Sequence, residues 1–486
     1  MVKVVAQTGT RGDIEMSEAS ISEPVTGQWM DLVSPKYAFA SLTLCLGVAL
    51  FAFNGFIVST AVPTAVIELN GASLISWSVS LYLIFAIVSG SAASLLKQRF
   101  GARVTFIAAA GIFLCGTLLA GMASSMPELL FGRALQGVGI GTIEAVCYAL
   151  IPELFPSQLV SKVFGVEAIV WATAAFGGPL IAGYMMETFS WRAAFLVSVP
   201  IVLLFAGLVP IVVPAGTRQS ADGGFQGLRL GAIAAGMLLV TTASIAGSPA
   251  AAAAMAFMAG LLFMVGVRLD RSAVAKLLPR DAFNLVAPIG LGFWVVLLMP
   301  MAQASASVFL VFGIQHLWGY SPTLAGGLNA IMAVSWSLSQ IAVASFSNAR
   351  LRLHMIWLGQ VALLMGLGGL VIAFQFSEIA ILGVAQVFVG AAFGISWGSL
   401  SQTLMEASPL AERNATSALL PTLQSAGYAI GAAVMGLIGN AAGFASFQNP
   451  ADLQFAMIVV FVSSAALAVP ALIAAIRVVK LVSRAR

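Results

Sequence analysis

The chain has 486 residues, 60% of them hydrophobic and 8% charged, with 48 glycines, a formal net charge of +4 and a mean hydropathy of +1.02. So few charges cannot clothe a soluble globule, and the apolar stretches outrun any soluble core helix. A soluble enzyme or nucleic-acid-binding domain is excluded, and the chain reads as an all-α integral membrane protein.

In chain order, residues 1–36 hold Asp13, Glu15, Glu18, Glu23 and Asp31 but no short apolar core ending in a small-residue cleavage site. They read as a disordered cytoplasmic tail. Runs of about 20 apolar residues then predict fourteen membrane helices. Their centres fall near residues 49, 86, 113, 139, 173, 202, 238, 259, 300, 335, 363, 391, 428 and 466. Only Gly247, Ser248 and Pro249 separate the seventh from the eighth. Basic residues test the count. With the amino terminus inside, every Lys and Arg except Arg133 and Arg192 falls in a tail or a cytoplasmic gap, from Lys97, Arg99 and Arg103 to Arg413. That bias fits fourteen passes with both termini cytoplasmic.

Sliding the chain against itself by 253 residues superposes Arg133 on Gln386, Gly137 on Gly390, Gly141 on Gly394, Glu153 on Glu406, Pro156 on Pro409, Gly178 on Gly431 and Gly183 on Gly436. Helices 4 and 5 therefore correspond to helices 12 and 13, which gives two six-helix bundles and an inserted pair. The expected organisation is a tail over 1–36, a first bundle over 37–213, a linker with two inserted helices over 214–285, a second bundle over 286–480 and a tail over 481–486. The inserted pair has no ionisable residue between Arg229 and Arg268, so it is expected at the periphery.

Several motifs now carry a resemblance. "RALQGVGIG" holds Arg133, Gln136, Gly137, Gly139 and Gly141; "GPLIAG" holds Gly178, Pro179 and Gly183. "SLLKQRFGAR" spans Ser94 to Arg103 with Arg99, Gly101 and Arg103 in register, and "STAVP" ends in Pro63. Together they resemble the fourth-helix, fifth-helix, loop and first-helix motifs of the major facilitator superfamily, in its fourteen-helix drug:proton antiporter branch. The resemblance implies alternating access between two bundles, with Gly101, Arg103, Gly137, Gly141, Gly178, Pro179 and Gly183 in packing and gating. Where that family carries acids, this chain has Gln98 in the loop and Asn54 in the first helix. A charge-assisted latch at position 98 gives way to a neutral hydrogen bond.

Only Arg133, Glu144 and Glu167 are ionisable deep within the predicted spans. Each costs on the order of 3 kcal/mol to insert, so each belongs in the protein interior or a wet cavity. Arg133 and Glu144 share a helix face but sit roughly 16 Å apart along the axis, too far for an ion pair. Glu144 and Glu167 lie at matched depth, roughly 9 and 12 Å from the cytoplasmic edge. A bound proton would relieve both their desolvation and their repulsion, so with Arg133 they are the expected proton-coupling residues. Asn54 is within reach of Arg133, which would make the arginine a structural clamp instead. Asn54, Gln136, Tyr148, Trp171, Gln303, Gln340 and Gln424 are the expected substrate-cavity residues. The second half, with Gln386 but no deep charge, is expected to bind rather than couple.

Cys45, Cys115 and Cys147 read as small core hydrophobes. His316 and His354 sit at span ends, and Asn414-Ala415-Thr416 falls in a cytoplasmic gap, where a glycosylation acceptor has no use. No nucleotide-binding, metal-ligating or nucleophile motif appears, so neither a cofactor nor enzymatic activity is expected. The expected function is proton-coupled export of lipophilic or amphiphilic small molecules across the plasma membrane, by a monomer. The alternatives are transport of an organic anion held by Arg133, and a non-transporting sensor or scaffold on the same fold.

Overall fold

The structure is a computed structural model that describes residues 28–215, 227–246, 248–272, 278–344 and 348–485. The predicted features at Lys3, Arg11, Asp13, Glu15, Glu18, Glu23, Arg218, Gly247, Lys276 and Arg486 lie outside the described residues. Lipid offers backbone amides no partner, so each pass must satisfy its hydrogen bonds within itself, and a helix does so. The first bundle holds α1 Ala38–Glu68, α2 Ile75–Phe100, α3 Ala102–Gly121, α4 Met126–Leu154, α5 Ser157–Thr188 and α6 Trp191–Val212. The inserted pair is α7 Gly227–Ala243 and α8 Pro249–Arg271. The second bundle holds α9 Pro288–His316, α10 Pro322–Ala344, α11 Ala349–Phe376, α12 Ile379–Ala407, α13 Arg413–Ala441 and α14 Pro450–Ala485.

Each predicted centre falls in one of these helices. Among the described residues twelve are long and apolar enough to cross a membrane, Gly227–Ala243 is a shorter apolar helix, and Pro322–Ala344 is less apolar than the twelve. An even number of passes leaves both described ends on one face, the terminal face. The opposite face, where α1 meets α2, is the distal face.

Within the first bundle α1 packs on α5 and α6, α4 on α2 and α3, and α3 on α6. Eight helices later the same pairs recur: α9 on α13 and α14, α12 on α10 and α11, and α11 on α14. Glycine makes this possible. A Cβ on Gly137 would run into the Tyr82 carbonyl of α2 and one on Gly141 into that of Ala86. Their mates Gly390 and Gly394 meet the Met332 and Trp336 carbonyls of α10 in the same way. Backbones that touch gain van der Waals contact, the main attraction between helices in lipid. The two most extensive contacts between the bundles are α2 with α13 and α5 with α10, and the same symmetry exchanges them. The inserted α7 lies against α2 and α13, and α8 packs on α7.

On the terminal face Gly101, at φ +83°, turns the chain from α2 into α3, a conformation that favours glycine. Arg103 donates from Nε to the Val213 carbonyl at 2.7 Å, tying α3 to the end of α6. Gln98 is exposed, and its neighbour Lys97 forms an ion pair with Glu153 on α4. Residues 28–36 differ from the expected disordered tail. Trp29–Val33 forms a 3-10 turn, Leu32 is buried with Tyr37 and Phe155, and the Trp29 ring covers Gly165 of α5. Leu32, with one edge of the Trp29 ring, gives that stretch something to bury.

Candidate functional site

Two polar layers lie inside the first bundle. The layer nearer the distal face is built on Arg133, which is 2% exposed. Its Nε donates to the Ser78 carbonyl at 2.9 Å, and Nη1 donates to Asn54 Oδ1 and to Gln136 Oε1, each at 2.7 Å. The guanidinium lies over the Tyr82 ring, 4.0 Å from its centroid. Gln136 in turn donates to Thr117 Oγ1 at 3.0 Å. One cation thus ties α1, α2, α3 and α4 together without a carboxylate. Asn54 accounts for this: a neutral oxygen satisfies the guanidinium where an acid would have formed an ion pair. Asn54 and Gln136, expected in the substrate cavity, are instead buried and committed to Arg133.

The second layer lies toward the terminal face. Glu144 on α4 and Glu167 on α5 lie within electrostatic range of each other. Glu167 is 2% exposed, and neither carboxylate oxygen has a hydrogen-bond partner. Glu144 is half-buried. Around them stand Cys45 of α1 and Cys147 and Tyr148 of α4, all within range of the carboxylate charges. An aromatic rim completes the layer: Tyr148 stacks on Phe164 at 6.1 Å, and Trp171 meets Phe51 at 5.6 Å. Phe51 also touches Tyr82 at 6.1 Å, so aromatic contacts run from the carboxylate layer to the arginine layer. Tyr148 and Phe164 are partly exposed, which gives the carboxylates an apolar, accessible border. No cluster of side chains suited to a metal ion occurs among the described residues.

The second bundle answers these layers with amides. Gln386, at the place of Arg133, is fully buried with neither amide atom paired. Gln360 donates to the Met299 sulfur at 3.2 Å and leaves its oxygen unpaired. Gln303, expected in the cavity, is buried and accepts from Ser307 at 3.2 Å. Gln340 is exposed and Gln424 half-buried.

The bundles close against each other at the distal face. A Cβ on Gly183 of α5 would stand 2.5 Å from Thr323 of α10, and one on Gly436 of α13 would strike Ser76 of α2. Pro179 packs on Gly326 of α10. Gly178 and Gly431 contact Phe56 and Met301 within their own bundles. Five residues turn a helix by about 500°, so Gly178 and Gly183 cannot face one neighbour. Hydrogen bonds cross here as well: the Thr323 amide donates to Glu187 at 3.1 Å, Gln315 to the Thr60 carbonyl at 3.4 Å, and Asn440 to the Ser73 carbonyl at 2.9 Å. Sequence reasoning missed Glu187, Gln315 and Asn440, which sit at span ends where polar residues carry no signal.

The family model of the Major Facilitator Superfamily matches residues 44–432. A probable multidrug-efflux transporter of Mycobacterium tuberculosis (strain CDC 1551 / Oshkosh) is 30% identical over 433 residues, covering 86% of this chain and 90% of that protein. The uncharacterized transporter YebQ of Escherichia coli (strain K12) is 25% identical over 422 residues, 84% of this chain and 90% of its own length. Among solved structures, a D-xylose-proton symporter superposes with a TM-score of 0.61 at 17% identity, covering 89% of this chain and 97% of the symporter. The nucleoside transporter NupG gives a TM-score of 0.65 at 12% identity, over 90% of this chain and 99% of its own. At those identities the likeness is one of fold. The chain belongs to the major facilitator superfamily and is a multi-pass membrane transporter of small molecules, not an enzyme.

Proposed function

We propose that this transporter exports lipophilic or amphiphilic small molecules in exchange for protons, with Glu144 and Glu167 as the proton site. The observation that carries the reading is Glu167: a buried carboxylate without a partner, beside a second carboxylate. A buried charge without compensation is costly, and binding a proton removes the cost. A cargo molecule entering between Tyr148, Phe164 and Trp171 would change the surroundings of the pair and so exchange with its proton. The relatives named as multidrug-efflux transporters support export and a cargo of this kind.

Arg133 we assign to positioning. Its Nε and Nη1 already donate to Ser78, Asn54 and Gln136 and its face lies on Tyr82, an arrangement that holds four helices in register rather than a carboxylate or phosphate of a cargo. This favours the exporter over the organic-anion transporter. The gate residues are Gly183 and Pro179 against α10, with Gly436 against α2; the terminal face, in the cytoplasm, opens as the two bundles rock about the midplane. The plasma membrane is the expected site and a monomer the working unit.

The test is reconstitution of the purified protein into vesicles with an imposed pH gradient and a fluorescent lipophilic dye. Dye should accumulate against its gradient when the proton gradient is present and cease to when an ionophore collapses it. Dye movement that ignores the ionophore would overturn proton exchange, and no movement of any dye tested would favour a sensor or scaffold.

A further inference from the structure

The inserted pair sits on the seam between the bundles. Ile84 of α2, Met237 of α7 and Ala426 and Ala429 of α13 form one buried apolar cluster, so α7 fills the groove where the two bundles meet. At its distal end Ser244, 3% exposed, is held from both sides. Trp77 of α2 donates from Nε1 to Ser244 Oγ at 2.9 Å, and Asn440 of α13 donates from Nδ2 to the Ser244 carbonyl at 2.8 Å. The Ser244 hydroxyl donates in turn to the Thr241 carbonyl at 2.7 Å, which fixes its lone pairs toward Trp77. The site adjoins the place where Gly436 meets Ser76.

The pair packs closely on itself. Phe263 of α8 covers Gly236 of α7, and Ile233 covers Gly266. At its terminal end Arg229 and Asp270 form an ion pair at 2.6 Å, and Asp270 also accepts from the Leu278 amide at 2.9 Å, on the segment that leads into α9. The hairpin is therefore tied to the second bundle through Asn440, to the segment leading into that bundle through Leu278, and to the first bundle through Trp77 and the packing of Ile84 on Met237.

We propose that the inserted pair is a clasp on the distal gate: it travels with the second bundle, and its Ser244–Trp77 bond holds the first bundle shut at the distal face and breaks when that face opens. A bond present in one state and lost in the other biases the equilibrium between them by its net strength. The proposal rests on alternating access between two bundles and not on the cargo or the coupled ion. It gives the extra helices a part in setting how often the distal face opens, although no ionisable residue lies between Arg229 and Arg268.

The experiment uses the full chain in vesicles, with Cys45→Ala, Cys115→Ala and Cys147→Ala as background and Ser59→Cys as reporter. Ser59 lies just inside the seam, where Val62, Ile75, Ser78 and Ser307 of α1, α2 and α9 converge. Labelling by a membrane-impermeant maleimide applied to the distal face reads the open population. Trp77→Phe and Ser244→Ala should each raise the labelling rate two- to tenfold, roughly the range set by one hydrogen bond. The double variant should do no more than either alone, because both remove one bond. Ser244→Thr, which keeps the hydroxyl, and Phe257→Ala, on the exposed side of α8, should label as the parent does. Gly183→Leu, which wedges the gate open sterically, is the control. Unchanged labelling in both clasp variants while Gly183→Leu labels fast would overturn the clasp. So would fully multiplicative effects in the double variant. Failure of Gly183→Leu to label would overturn the gate reading and the clasp with it.

Discussion

Arg133 and Gln386 stand at the same place in two halves that share their packing. Around Arg133 every neighbour is committed: Asn54, Ser78, Gln136 and Tyr82 each face the guanidinium. Around Gln386 nothing is, and both its amide atoms are buried unpaired. The glycines that seat α4 on α2 and α12 on α10 are nevertheless matched, Gly137 with Gly390 and Gly141 with Gly394. The comparison separates two kinds of requirement. Backbone contact between helices is needed in both halves, so glycine stays in both. The interior polar groups differ: Arg133, Glu144 and Glu167 lie in the first half, whereas the second holds the neutral amides of Gln303, Gln360 and Gln386.

If that separation is right, the largest effect belongs to Arg133→Ala. It leaves a cavity and unpaired oxygens on Asn54, Gln136 and Ser78, and should cost about 4 kcal/mol of stability. Thermal unfolding in detergent would read this as a sharply lower midpoint. Next come Gly137→Leu and Gly390→Leu. Each drives a side chain into a facing carbonyl and should cost about 3 kcal/mol, equally in the two halves. A large difference between them would break the claim that packing is shared. Arg133→Lys keeps the charge but loses the planar fork, and should cost about half as much as Arg133→Ala. The smallest effect is Gln386→Leu. Removing an amide that pairs with nothing should leave the unfolding midpoint unchanged or raise it, within about 1 kcal/mol. A loss as large as that of Arg133→Ala would mean that Gln386 holds its surroundings together as Arg133 does.

Much of this was legible in the sequence, for physical reasons. A membrane helix must be a continuous apolar run, so every pass left its mark, including the weakly separated α7 and α8. Backbone contact leaves glycine at fixed spacing, so the repeat could be read. The neighbourhood of Glu144 and Glu167 followed from depth along two consecutive helices. What could not be read was the direction in which a polar side chain points. Asn54, Gln136 and Gln303 looked like cavity residues and are packed inside. Gly178 and Gly183 looked equivalent and face different neighbours, because helix phase is lost when a motif is read as a string. The contacts of Ser244 with Trp77 and Asn440 span 167 and 196 residues of sequence, and local pattern carries no trace of them.

The measurement that bears most directly on the account is the pH dependence of dye binding to the purified protein and to its Glu144→Gln and Glu167→Gln variants, followed by tryptophan fluorescence. The account predicts that the parent's binding changes with pH and that each variant still binds. Each should have a weakened and differently placed pH response, because two interacting carboxylates titrate as a pair. The variant with both substitutions should bind with no such response. Parent-like pH dependence in both single variants would contradict the account, because the proton would then be taken up elsewhere in the transporter.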